Sequence, residues 1–142
     1  MTPPALALDD FLGAWSLDRR IDDKLTESTG HLAGKAEFTW DGDALVYREE
    51  GALRFDGQPP FTASRTYVWS ARPEGGVEIA FEDGRPFHHF TFDRGRPEAT
   101  HMCDPDMYHV TYDFLHWPKW SGTWRVQGPR KNYCMRSRYQ RL

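Results

Sequence analysis

Apolar and polar residues alternate with period two along most of the chain, and clusters of Gly, Pro and Asp interrupt the alternation about every ten residues. Side chains of a strand point alternately to its two faces, so the pattern predicts half-buried strands. They fall at 14–21, 33–40, 44–54, 62–70, 76–82, 87–93, 97–103, 108–114, 119–127 and 132–140. Their connections carry turn chemistry, among them Asp41-Gly42-Asp43, Pro73-Glu74-Gly75-Gly76 and Glu82-Asp83-Gly84-Arg85-Pro86. Gly supplies positive φ in such turns, and Pro stops the ladder. Helical periodicity is confined to residues 4–12, where Ala5, Leu8, Phe11 and Leu12 share a face for barely two turns. Residues 22–32 form the longest polar gap and predict a mobile loop over one mouth of a barrel.

An open sheet of ten strands would have two edges to protect, and closure removes both. The expected fold is therefore all-β: a closed up-and-down antiparallel β-barrel of about 8–10 strands with a short N-terminal helix, wide enough to hold one small ligand. A length of 142 residues suits a single domain over 1–142. With 39% hydrophobic residues and a net charge of -3, the chain is not of the disordered class. No stretch approaches the roughly 18 consecutive apolar residues of a membrane-spanning helix, so no membrane partner is expected. The start, Met1-Thr2-Pro3-Pro4-Ala5, has neither the basic residue nor the apolar run of a signal peptide. A cytoplasmic location is expected, with Cys103 and Cys134 kept as thiols.

The net charge hides an uneven distribution. Residues 1–113 carry 11 Lys and Arg against 21 Asp and Glu, whereas residues 114–142 carry seven bases and no acid. These late bases alternate with aromatics of the buried type and form no solvated block. They are expected to lie beside the acidic early strands and be neutralised there, and no nucleic acid is expected as a partner. A homodimer is left open.

Gly13-Ala14-Trp15, after a short helical turn, resembles the G-x-W signature of the lipocalins and the wider calycin group. In that group the Trp closes the bottom of the barrel and an Arg from the last strand packs across its ring. The resemblance implies structural roles for Gly13, for Trp15 and for Arg136, the more central of the late pair Arg136 and Arg138; such cation–π packing contributes ~0.5–2 kcal/mol. Longer stretches, among them Tyr47-Arg48-Glu49-Glu50-Gly51, Asp83-Gly84-Arg85-Pro86-Phe87-His88 and Trp124-Arg125-Val126-Gln127-Gly128-Pro129-Arg130-Lys131, look like an uncharacterised lipocalin-like family of bacteria and fungi, catalogued only as a domain of unknown function. That resemblance runs nearly end to end and implies the fold, but no activity. Secreted lipocalins carry a T-D-Y motif, whereas Thr111-Tyr112-Asp113 has a different order. With the missing signal peptide, this speaks against extracellular ligand transport.

Chemistry in a small barrel sits at inward positions. In the hairpin 97–114, a turn at Pro105-Asp106 would pair Cys103 with Tyr108 and His101 with Val110. His101, Cys103, Tyr108, Val110, Tyr112 and Phe114 would then share the apolar face. In 87–93 the more apolar set is His88, Phe90 and Phe92, which turns His88 inward. Tyr47, Glu49 and Leu53 alternate on one strand, and Arg65, Tyr67 and Trp69 on the next. If both sets point inward, Glu49 and Arg65 meet and pair with each other or with a ligand, because an isolated buried charge is costly. An Arg among tyrosines suits a carboxylate or phosphate held bidentately.

The chain contains no C-x-x-C, H-E-x-x-H, G-x-S-x-G or P-loop pattern. No histidine follows His116, so the closing strands offer haem no axial ligand, and neither metal nor cofactor is expected. Cys103 reads as an apolar filler rather than a nucleophile, and Trp117, Trp120 and Trp124 as either core or rim. The expected function is binding of a small, aromatic or acidic organic ligand, with Tyr47, Arg65, Tyr67, His101, Tyr108 and Tyr112 lining the site. The alternative is a lyase or isomerase acting on a small acid in the same cavity, with Glu49 as base and His88 as acid.

Overall fold

The computed structural model describes residues 4–142. Met1, Thr2 and Pro3, which fall within the expected domain and the reading of the N-terminus, lie outside the described residues. One 3-10 turn (Leu8–Phe11) precedes ten strands: β1 (Gly13–Asp23), β2 (Ser28–Asp41), β3 (Ala44–Phe55), β4 (Phe61–Ala71), β5 (Val77–Phe81), β6 (Pro86–Phe90), β7 (Glu98–Cys103), β8 (Asp106–Asp113), β9 (Trp120–Gly128) and β10 (Lys131–Arg141). All pair antiparallel in one sheet of order β6-β5-β4-β3-β2-β1-β10-β9-β8-β7. The first and last strands are neighbours in mid-sheet, and the two ends, β6 and β7, lie against each other without a ladder. The result is a nearly closed barrel, as the alternation leads one to expect. No helix among the described residues is long and apolar enough to cross a membrane.

The expected helix over 4–12 shrinks to a single 3-10 turn. Its buried residues, Leu8 and Phe11, are three apart, the spacing at which side chains of a 3-10 turn eclipse. Gly13, at φ 113, then turns the chain into β1, a conformation that L side chains rarely adopt. The polar gap 22–32 is not a loop either. β1 runs to Asp23 and β2 starts at Ser28, leaving a short turn in which the Asp23 carboxylate accepts the Leu25 N–H at 3.0 Å. Polarity misled there because residues 24–27 are exposed and only Gly30 and Leu32 of the stretch are buried, while the backbone stays paired as far as Asp23 and Ser28.

Phe11 and Trp15, both fully buried, close the floor. The Trp15 indole donates to the Phe11 carbonyl at 2.9 Å, and Phe11 touches the rings of Trp69, Trp117 and Trp120 at 4.8–5.4 Å. The cation over Trp15 is Arg141, at 4.0 Å from the ring, not Arg136. The inward face of β10 carries Met135, Ser137 and Tyr139, all buried, and Arg141 continues that series. Arg136 and Arg138 have the opposite parity and are exposed. Arg141 also caps the carbonyls of Leu12 (2.6 Å) and Asp10. On the outer face β10 does lie beside acidic β1, with Arg138 opposite Asp18.

Hairpin β7–β8 has the expected faces in a different register. His101 pairs with Tyr108 and Cys103 with Asp106, around a tip at Asp104 and Pro105. The shift is two residues. Alternation sets the face and cannot separate registers that differ by two.

Candidate functional site

Inside the barrel, toward the end that carries the β1–β2, β3–β4, β5–β6, β7–β8 and β9–β10 turns, lies a cavity of about 370 Å³. That volume is in the range of small-molecule sites. All six tyrosines of the chain line it, together with Trp69, Trp120 and Trp124. The concentration follows from alternation, since each tyrosine stands at an inward position of β3, β4, β8 or β10.

The inner wall holds a buried ion pair. Arg19 donates to Glu49 through both terminal nitrogens, at 2.6 and 2.9 Å, and through Nε to the Ser137 hydroxyl at 2.7 Å. Tyr47 donates to Glu49 at 2.7 Å and lies 2.8 Å from the Tyr139 hydroxyl. Burial raises the pKa of a carboxylate, but the Arg19 bonds outweigh it and hold Glu49 below its ordinary range. The Arg19 pKa is raised against the opposing effect of burial by the Glu49 hydrogen bond. Burial pushes Tyr47 well up and Tyr139 to about 12, so both phenols stay protonated.

The expected pairing of Glu49 with Arg65 is thus replaced. The two stand directly opposite on β3 and β4, yet Glu49 turns to Arg19 of β1. Arg19 spans β2, where Leu32 stands opposite Arg19, Ala36 opposite Glu49, and Gly34 between them. Gly34 and its partner Gly51 tolerate no side chain: a Cβ on Gly34 would stand 2.1 Å from the Glu50 carbonyl oxygen, and one on Gly51 2.7 Å from that of Ala33.

His88 is buried as the alternation indicates, with Nε2 2.8 Å from the Tyr112 hydroxyl. Burial lowers its pKa to about 3, with His101 and His89 adding to the effect, so it is neutral at pH 7. His88 Nδ1 and Trp120 Nε1 are buried without a hydrogen-bond partner.

Nearer the mouth the polar groups are less engaged. Lys131 bonds the Tyr108 hydroxyl at 2.9 Å and Asp106 at 3.1 Å, contacts that raise its pKa in that order. Among the described residues, Arg65 and the hydroxyls of Tyr67 and Tyr133 have no side-chain partner. Burial raises the Tyr133 pKa, and the charges of Arg65 and Lys131 oppose that rise, so both cations act on this one phenol. His101 lies edge-on to Phe87 at 5.1 Å. Cys103 is exposed at the rim, and both cysteines are free. Of the late tryptophans, Trp120 is core, stacked on Tyr139 at 3.8 Å, Trp117 packs on the floor, and Trp124 forms cavity wall.

Tyr47, Glu49, Arg65, Tyr67, His88, His101, Tyr108 and Tyr112 are therefore all brought together around one cavity. Sequence reasoning missed Arg19, Tyr139, Ser137, Tyr133, Lys131 and Phe87. Arg19 was within reach, since Trp15, Leu17 and Arg19 share the parity of the buried face of β1.

The model of a family described as "Family of unknown function (DUF6314)" matches residues 11–141. No curated protein matches the chain. Among solved structures, the fold is similar to that of the S-type phycobiliprotein lyase CPES from Guillardia theta. The TM-score is 0.67 at 11% identity, covering 97% of this chain and 94% of the other. Identity that low speaks for the fold alone.

Proposed function

The chain belongs to the DUF6314 family of unknown function, and from its cavity we propose that it binds a small aromatic organic acid, rings inward and acid group at the mouth. The observation that carries this is Arg65, a cation lining an aromatic cavity with no acidic partner among the described residues, beside the unengaged hydroxyls of Tyr67 and Tyr133. A guanidinium in such surroundings suits a carboxylate held by two charge-assisted hydrogen bonds. The likeness to a phycobiliprotein lyase lends support to the barrel as a container for a small molecule, and nothing finer.

The catalytic alternative, a lyase or isomerase using Glu49 as base and His88 as acid, has less behind it. Both Glu49 oxygens are occupied and its pKa is lowered, which makes it a poor proton acceptor. A neutral His88 with its pKa near 3 carries only the ring N–H of an uncharged imidazole, too weak an acid to protonate a substrate at pH 7. The proposal extends to a cytoplasmic location, which the unbonded thiols of Cys103 and Cys134 support.

Native mass spectrometry of freshly purified protein is expected to reveal a retained acid, and calorimetric titration with aromatic acids a saturable site. Arg65→Ala is expected to weaken that binding about tenfold to a hundredfold, the worth of a hydrogen bond to a charged group. Unchanged affinity in that variant would remove the anchor.

A further inference from the structure

Phe87 breaks the alternation of β6. Its neighbour His88 points into the cavity, so Phe87 should point out, yet both side chains line the same space. The cause is a bulge: Ile79 pairs with His88 and Ala80 with Pro86, which leaves Phe87 as the extra residue opposite no partner. A bulge re-aims a side chain, and here it turns a phenyl ring inward.

The ring enters an ordered stack. Trp124 lies against one ring contact at 5.1 Å and 10° from parallel, and Phe81 makes another at 4.5 Å and 23°. Tyr67 is also near-parallel to it, at 5.7 Å and 25°, and the Arg85 guanidinium lies 5.3 Å over Phe81. Phe87 nevertheless keeps part of its surface open. It is half-buried while His88 and Phe90 are buried, and β6 is a five-residue strand at the end of the sheet, laddered on one side only. The walls it touches, Trp124, Phe81 and Tyr67, come from β9, β5 and β4, each laddered on both sides, and all line the cavity.

We propose that Phe87 occupies a stacking slot, walled by Trp124 and Phe81, which the flat ring system of the ligand takes over when it binds, and that this slot selects planar conjugated acids over flexible fatty acids. The inference rests on the acid-binding reading above and deepens it. The acid group stays with Arg65; the slot reads the shape of the rest. A planar ring regains both stacking contacts that Phe87 gives up, whereas an alkyl chain regains neither.

The test compares 2-naphthoate and decanoate, two acids of equal charge, by isothermal titration calorimetry on the full chain and on Phe87→Ala. With the slot emptied, 2-naphthoate is expected to bind about tenfold more tightly, the worth of the aromatic contacts it no longer displaces. Decanoate is expected to change less than about threefold, well inside that factor. Phe87→Leu, which keeps apolar bulk without a ring to stack, is expected to move in the same direction and stands in if the alanine variant fails to fold. If both acids weaken together in both variants, Phe87 is ordinary cavity wall and the slot is refuted, while acid binding survives. If neither acid binds any of the proteins, the acid-binding reading falls and the slot with it.

Discussion

At the floor of the barrel, the Trp15 indole donates to Phe11, and Arg141 covers the Trp15 ring while capping two carbonyls. Toward the mouth, Arg65 and the hydroxyls of Tyr67 and Tyr133 have no side-chain partner among the described residues, although the same residue types are at hand. Apart from Trp120 Nε1, which is buried without a partner, these floor groups are satisfied from within the chain, and such groups serve stability. At the mouth Arg65 is exposed, and its hydrogen-bonding groups are open to solvent and to a bound molecule alike. The Arg19–Glu49 pair lines the cavity but belongs with the floor in kind: both partners are buried and closed on each other. A charged residue in a cavity wall is therefore not by itself a ligand contact, and its remaining bonds decide which it is.

The largest expected effect tests that last assignment. Glu49→Leu strands a buried guanidinium and is expected to cost about 3–5 kcal/mol in urea unfolding. The double variant Arg19→Met/Glu49→Leu is expected to recover most of it, because removing both charges also removes their desolvation cost. A loss in Glu49→Leu no larger than that of a surface substitution would move the pair out of the structural class.

Next comes pH. His88 has a folded-state pKa of about 3 against 6.5 unfolded. Between those values the unfolded chain binds a proton that the folded chain refuses, so stability falls as pH is lowered, by at most about 1.4 kcal/mol per pH unit for one group. Glu49, also lowered, acts with the same sign below its ordinary 4.5. Urea midpoints measured in steps from pH 7 to pH 4 are expected to slope less in His88→Asn than in the parent chain. An equal slope would place the titration elsewhere.

The smallest effects separate floor from surface. Arg141→Ala is expected to cost about 1–2 kcal/mol, from the ring contact and the two capped carbonyls. Arg136→Ala is expected to stay within about 0.5 kcal/mol. Thermal unfolding of the two side by side checks the order, and its reversal would break the assignment of the floor.

Much of this was legible in advance. Alternation placed ten strands and turned Tyr47, Glu49, Tyr67, His88, Tyr108 and Tyr112 inward, because in a half-buried strand the apolar face declares itself every second residue. The same rule applied to β10 points to Tyr139 and Ser137 and away from Arg136; there the resemblance to the calycins drew attention to the wrong arginine. The bulge at Phe87 left no such trace. It depends on how β5 and β6 pair, and nothing local in Pro86-Phe87-His88 announces an unpaired residue.

What the amino-acid sequence determined by itself was periodicity: strand or turn, face in or face out, since both are set by chain geometry within a few residues. Which inward groups meet was decided only by the closed sheet. Glu49 finds Arg19 across β2 rather than Arg65 across one ladder, and Arg65 is left over. The choice depends on distances between residues 30 positions apart, and these exist only once β1, β2 and β3 have curled around a common interior.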